Sequence, residues 1–416
     1  MKKLLFTIQW YPSYKSPNVY CDTNIMNALL ATGKYEIHCL VYKPYNRPSE
    51  EMLDGFHIHR FKRSWLFDAA MKADATPDLF KSKLVRKLAR LFMRLKQIAF
   101  VPIYPIYEPL LVRRFQNEAV ELHKREHFDL VVSECNGIET LLAGCAVKKY
   151  DGNVKYLPIF WDSLSGGFCP HYLPEKYARK SRRALEKKVM SVADKAIVME
   201  SSMEFHKLYA NRYEYLKKFI PMNIPYLKDL EINHIPEQMS NRIKAIFSGT
   251  LSQRNPKYLF SVLSHIKNME ITFICDKDFH SELHSIASDC NLEIRCLPFM
   301  EHEKLLDELR TADLFLNIGV RESNAISGKI FEYMSFGRPI ISTYFIDNEA
   351  CIPFLKKYPL GLMVDERLSV ESNVAKVANF LQLHKNQYVD FEIVKNLFPK
   401  CLASSYVSII DDLFNE

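Results

Sequence analysis

Short apolar runs alternate along this chain with longer stretches of helical period. In the first half the runs fall at residues 4–8, 37–42, 56–61, 130–133, 156–161 and 196–199. In the second half they fall at 245–248, 271–275, 294–297, 314–318, 339–342 and 361–364. Apolar runs of this length between amphipathic segments read as strands of a largely parallel sheet, joined by helices. Helices are predicted at 257–267, 281–290, 303–311, 330–336 and 349–357. The α/β pattern thus occurs twice. Its seam is expected near 219–241, where Ile220-Pro221-Met222-Asn223-Ile224-Pro225 leads into polar sequence with Pro236. Prolines interrupt helices and central strands, so this stretch reads as a linker. The expected organisation is a first domain over 1–222, a second over 223–385, and helices over 386–416 that pack back on the first. Two doubly wound domains are then expected to face each other across a cleft, with ligands outside the carboxyl ends of the strands.

One segment departs from this pattern. Lys81, Lys83, Arg86, Lys87, Arg90, Arg94 and Lys96 lie in a window without acids, and Leu84, Leu88, Leu91, Phe92 and Leu95 recur at helical spacing. This basic amphipathic helix has two readings. It is a surface helix packed on its own domain, or residues 81–100 lie on an anionic membrane. No run approaches the roughly 20 apolar residues of a spanning helix. Residues 4–8 are too short for a signal peptide and read as a first buried strand. A cytoplasmic protein is expected, placed at the inner face of the cell membrane under the second of these readings.

Composition changes this picture little. The 416 residues are 48% hydrophobic and 25% charged, an ordinary globular balance, with a formal charge of +7. The basic cluster is local and the overall charge modest, so nucleic-acid binding is not expected. The ten cysteines are scattered, with no CxxC pair. Several, such as Cys39, Cys275 and Cys296, sit in strand-like runs and read as buried reduced thiols. His123 with His127, and His280 with His284, have helical spacing but no accompanying acid motif, and read as solvated. Asp276 and Asp278 read as a solvated turn. No metal site is expected.

The most informative stretch follows the run 314–318. It reads Glu322-Ser323-Asn324-Ala325-Ile326-Ser327-Gly328-Lys329-Ile330-Phe331-Glu332-Tyr333-Met334-Ser335-Phe336-Gly337-Arg338-Pro339-Ile340-Ile341. A buried strand ends near Ile318, a polar loop follows, a helix starts near Ser327–Gly328, and Gly337 ends it. Free N–H groups and the positive dipole end at such a helix start attract phosphate. Glu332 lies about one turn in, where it can accept hydrogen bonds from sugar or ribose hydroxyls.

Lys329 to Ile341 resembles the donor-site signature of retaining GT-B glycosyltransferases of the glycosyltransferase family 4 type. Ala312-Asp313 resembles the segment before that signature. Phe247-Ser248-Gly249-Thr250-Leu251, with Arg254 and Lys257, resembles the glycine turn and basic residues opening the family's C-terminal domain. Ala193 to Val198 and Phe219 to Asn223 resemble its pre-linker strand and the turn after it. The resemblance implies a GT-B fold with an N-terminal acceptor-binding domain and a C-terminal nucleotide-sugar domain, both Rossmann-like. It implies a donor site of Gly249, Thr250, Arg254, Lys257, Asn324, Ser327, Gly328, Lys329 and Glu332. Arg254 and Lys257 would neutralise the departing diphosphate, and Glu332 matches the second acid of the family's Glu-x7-Glu motif. Residues 297–300 would flank the base. The first acid of the motif falls at Asn324, with Glu322 two residues earlier. Thr250 stands where a basic residue is usual, and Pro12 to Pro17 replace a glycine-rich loop.

After the strand 130–133, where the family often has a histidine, this chain has Glu134-Cys135-Asn136-Gly137. Glu134 would orient the acceptor or the transferred sugar; as an alternative it is a solvent-facing or capping acid. Asp162 is a similar candidate. The implied activity is metal-independent transfer of a hexose-type sugar, with retention, from a UDP- or GDP-sugar to a sugar or lipid-linked acceptor. Surface-polysaccharide synthesis is the implied setting. Two alternatives keep the fold: a nucleotide-sugar epimerase, and a non-catalytic GT-B binding module, the latter motivated by Asn324.

Overall fold

The computed structural model describes residues 1–11, 17–44, 46–74, 80–164, 166, 169–210, 215–230, 242–252, 254–321 and 326–415. The chain divides into two compact units, one of 1–225 with 403–416 and one of 226–402.

The first unit is built on eight strands: β1 (Lys2–Thr7), β2 (Tyr35–Tyr42), β3 (Glu50–Leu53), β4 (Phe56–Phe61), β5 (Leu130–Glu134), β6 (Lys155–Phe160), β7 (Ala196–Met199) and β8 (Phe219–Met222). Their order is β3-β4-β2-β1-β5-β6-β7-β8, parallel except for the β3–β4 hairpin. Leu4, Leu5, Leu130, Val131, Tyr156 and Leu157 are fully buried, as expected where helices cover both faces of a parallel sheet. Two strands depart from the sequence reading. Phe219–Met222, expected as linker, is the edge strand β8; Pro221 is tolerated there because an edge strand leaves one row of N–H groups without a ladder partner. Glu50–Leu53 is too polar and short to stand out.

The second unit has six parallel strands: β9 (Ile243–Ser248), β10 (Met269–Cys275), β11 (Ile294–Pro298), β12 (Leu314–Ile318), β13 (Ile340–Tyr344) and β14 (Gly361–Asp365). Their order is β11-β10-β9-β12-β13-β14. The core here centres on Phe247, Phe260, Phe273, Leu316 and Ile341. The five predicted helices are present: those expected at 281–290, 303–311 and 330–336 each begin and end one residue earlier, while those expected at 257–267 and 349–357 are shortened to Lys257–Leu263 and Ile352–Lys357.

The seam falls at Pro225/Tyr226 instead of 222/223, and residues 231–241 of the expected linker lie outside the described residues. The C-terminal expectation also needs correction. Residues 386–402 belong to the second unit, and the return to the first begins only at Ala403. There the helix Ala403–Asn415 packs on the helix Pro17–Ala31. Tyr406 donates to the Asn223 carbonyl at 2.7 Å, Lys34 pairs with Asp411 at 2.8 Å, and Lys2 lies 3.5 Å from the centre of the Phe414 ring.

Among the cysteines, Cys39 and Cys275 are buried and unpaired, while Cys296 is only partly covered. His123 is buried, not solvated: its Nδ1 accepts the Phe128 N–H at 3.2 Å. No helix among the described residues is long and apolar enough to cross a membrane.

Candidate functional site

A doubly wound sheet opens a crevice where its strand order reverses. In the second unit that point lies between β9 and β12. The loop after β9 carries Gly249, Thr250, Arg254 and Lys257; the segment after β12 leads to the helix Lys329–Ser335. The predicted donor residues other than Asn324 are therefore brought to one end of one sheet.

Arg254 spans the crevice. Its Nε donates to the Ile318 carbonyl, at the end of β12, at 2.8 Å, and its Nη1 donates to the Thr250 carbonyl at 2.8 Å. Burial lowers its pKa, yet a guanidinium stays charged in a protein. The crevice thus holds a fixed positive charge. Lys257 sits differently. It is the first residue of the helix Lys257–Leu263, with an exposed side chain that makes no ion pair among the described residues. Thr250 is likewise exposed.

The helix Lys329–Ser335 is pinned in place from both sides. Tyr333 stacks on Phe315 of β12 with centroids 4.4 Å apart, and its hydroxyl accepts the Ser248 N–H, at the end of β9, at 2.7 Å. Gly337, at φ +66°, ends the helix. A side chain there would collide with the Val389 carbonyl, so glycine is required. At the other end Gly328 caps the helix. A Cβ on Gly328 would strike the ring of Tyr226, so the close approach anticipated for a ligand is already made by an aromatic side chain of the same unit. The Ser327 N–H points at Cys351 Sγ, 3.3 Å away.

Glu332 is mostly shielded from solvent and lies among basic side chains. Lys329 Nζ is 2.5 Å from Glu332 Oε2, and His302 Nδ1 is 4.0 Å from Glu332 Oε1. Burial lowers the pKa of Lys228, and the Glu332 carboxylate opposes that shift. Burial likewise lowers His302; Glu332 again opposes, and Lys329 and Lys228 add to the lowering. Lys228 and His302 escaped the sequence reading, because neither sits in a motif and both are remote in sequence from Glu332.

Glu349 was also missed. It is 2% exposed, and burial raises its carboxyl to about 7 against the opposing pull of Arg254. It accepts the Val320 N–H and fills the space beside Gly319, so it buttresses the segment leaving β12. Asn324 and Glu322 lie outside the described residues, as does most of the loop 12–17.

The first unit reverses its order between β1 and β5. Glu134 ends β5 and is 1% exposed, so it is neither the solvent-facing nor the simple capping acid of the alternative reading. Its Oε1 accepts the Gln9 N–H, just beyond β1, at 3.1 Å, and its Oε2 accepts Asn136 Nδ2 at 3.1 Å. Against it lies Asp22, equally buried, whose Oδ1 accepts Trp161 Nε1 at 3.2 Å. Asp22 Oδ2 has no donor. Burial raises both carboxyls, Asp22 further, with Glu134 adding to the Asp22 shift. A proton on Asp22, which its raised pKa favours, would give that pair a hydrogen bond. Asp162, beyond β6, is exposed.

Among the described residues one group has metal-ligand character: Glu36, His38 and His57, with ligand atoms all within 4.8 Å of one another. The rings of His38 and His57 are stacked at 4.4 Å and 12°, so their in-plane lone pairs do not converge, and Lys3 lies 3.5 Å from Glu36. Asp276 accepts the Asp278 N–H at 3.2 Å, as a turn residue does.

The sequence matches no protein-family model and no curated protein. The fold, in contrast, has full-length likenesses. Sucrose-phosphate synthase from Thermosynechococcus elongatus aligns over 100% of both chains at TM-score 0.61 and 12% identity. HepE from Anabaena, solved in complex with UDP and glucose, aligns over 100% of both chains at 0.60 and 13%. An alpha,alpha-trehalose-phosphate synthase (UDP-forming) from Burkholderia vietnamiensis aligns over 100% of this chain and 98% of its own at 0.62 and 10%. The chain has the GT-B fold, built from two Rossmann-like parallel-sheet domains.

Proposed function

We propose that this chain is a glycosyltransferase that moves a hexose-type sugar from a UDP- or GDP-sugar to a sugar or lipid-linked acceptor, with retention. The observation that carries the reading is Arg254 set across the β9/β12 crevice, in the same unit as Lys329, Lys228 and His302 around one carboxylate, Glu332. Fixed cations in a poorly solvated crevice stabilise a departing nucleoside diphosphate more strongly than water does. In this reading Arg254 and Lys329 take the diphosphate and Lys257 guards its approach. Gly249, Thr250 and the Ser327 hydroxyl supply further contacts, while Gly328, packed on Tyr226, fixes where the helix begins. As a diphosphate competes for Lys329, the Glu332 carboxylate is released to accept hydroxyls of the sugar or ribose. Asn324 would contribute an amide where the family has an acid. These cations do the work that a metal ion does in other transferases. The UDP and glucose held by the similarly folded HepE support the choice of donor class. The first unit is the acceptor half, with Glu134 near its crevice, and the setting is surface-polysaccharide synthesis on the cytoplasmic side of the cell membrane.

The test is a panel of UDP- and GDP-sugars, scored for nucleotide release with and without sugar acceptors. Glu332→Ala is expected to lower kcat/KM roughly 10²-fold with unchanged thermal stability. If no donor releases nucleotide above background and neither UDP nor GDP binds, the proposal fails.

A further inference from the structure

The helix Phe80–Ala99 was open to two readings in the sequence, and the structure separates them. Were it an ordinary surface helix, its leucines would face the domain. Instead Leu84, Leu88, Leu91, Phe92, Leu95 and Ile98 are 45–63% exposed, and no described side chain from 81 to 100 is buried. At about 100° per residue, Leu84, Leu88, Leu91, Leu95 and Ile98 fall within roughly 80° of arc, a continuous outward stripe. Val85, Ala89, Met93 and Phe100, all partly covered, lie on the opposite side. Lys83, Lys87, Arg90 and Arg94 form a row roughly 60–120° to one side of the stripe. All four are exposed, and none has an ion-pair partner among the described residues. The helix contains no acid. Its C-terminal end is anchored: Lys96 pairs with Glu108 at 3.1 Å, and Glu108 also holds Arg63 at 2.7 Å.

A monomeric soluble surface rarely leaves so many large apolar side chains in one row. An apolar stripe flanked by unneutralised cations matches the two layers of an anionic bilayer surface, acyl boundary and phosphate headgroups. We propose that this helix is a docking surface for anionic membrane. Leu84, Leu88, Leu91, Leu95 and Ile98 enter the acyl boundary, and Lys83, Lys87, Arg90 and Arg94 sit over the headgroups. A partner of another kind fits less well: a second copy of the chain would bring the same cations into opposition. This inference stands apart from the transfer reading, since it uses none of the residues of the donor crevice.

The experiment is co-sedimentation of the full chain with phosphatidylcholine vesicles, with and without phosphatidylglycerol, at low and high salt. Binding is expected only with phosphatidylglycerol, weakening as salt rises. Leu88→Glu/Leu91→Glu/Leu95→Glu should reduce it roughly ten-fold or more. Lys87→Gln/Arg90→Gln/Arg94→Gln should reduce it and flatten the salt dependence. Because these side chains are exposed, both variants should keep wild-type thermal stability and UDP or GDP affinity. The proposal is overturned if vesicles of either composition fail to bind the wild type, or if the triple-glutamate variant binds as well. It is equally overturned if vesicles are ignored while the wild type is a dimer that this variant makes monomeric.

Discussion

The two sheets reverse their strand order in the same way but fill the resulting crevices with opposite chemistry. Between β1 and β5 lies Glu134, joined to the far side through the Gln9 N–H and set against the buried Asp22. Between β9 and β12 lies Arg254, joined to the far side through the Ile318 carbonyl, with Lys329, Lys228 and His302 gathered nearby around Glu332. The acids of the first crevice are sealed from solvent, whereas Glu332 and Lys329 keep part of their surface open. A shared topology thus supplies a place for a ligand, and the side chains decide what is held there. The first crevice is stiffened by a buried pair of acids, and the second is charged for an anion.

The largest expected effect tests that division. Arg254→Ala should lower transfer roughly 10²–10³-fold and weaken nucleotide binding, because it removes a preorganised charge from the crevice. Glu134→Gln preserves most of its hydrogen bonds and should leave nucleotide affinity unchanged, with less than about a ten-fold loss of turnover. A Glu134→Gln loss as large as that of Arg254→Ala, in steady-state assays, would move the reacting groups to the first sheet.

Next in size is the pH response of the acid pair. A carboxyl whose folded pKa is raised binds its proton more tightly in the folded chain. Stability is therefore full below about pH 4 and declines as pH rises toward the folded pKa. Asp22→Asn keeps a neutral partner for Glu134 and should remove that decline, stabilising the protein by about 1–3 kcal/mol at pH 8 and little at pH 4. Urea denaturation at both pH values measures this, and an unchanged slope would show that no proton is shared.

Glu349 gives the smallest effect. Its carboxyl titrates near 7 when folded, so stability should fall between about pH 4.5 and 7. Arg254 limits that loss, a compensation the first crevice lacks. Glu349→Gln should therefore gain only about 1–2 kcal/mol at pH 8. A gain matching that of Asp22→Asn would mean that the arginine does not sense the carboxylate.

The sequence is most legible where burial forces a simple pattern. Strands covered on both faces, such as Leu130–Glu134 and Leu314–Ile318, open with three consecutive apolar residues and stand out. Strands at the margin do not: Glu50–Leu53 opens with two acids, and Phe219–Met222 carries a proline. Within the donor crevice, Lys329 and Glu332 are readable because one helical turn brings them together. Lys228 and His302 reach the same carboxylate from distant segments, a convergence no local spacing records. The partner of Glu134 was hidden for the same reason, since Asp22 sits in a helix whose polar and apolar residues show no clear face. The basic helix shows the reverse case. Its periodicity was plain in the sequence, but only the exposure of Leu88, Leu91 and Leu95 tells which way the apolar face turns.

The return of the chain to its first unit at Ala403 has a consequence for biosynthesis. The helix Ala403–Asn415 covers part of the helix Pro17–Ala31, yet it is synthesised only after the whole second unit. The amino-terminal half must wait, with Tyr35 and Lys2 lacking their partners Asp411 and Phe414, until translation has finished everything in between. A premature stop shortly before Ala403 would spare the second unit and still leave the first unfinished.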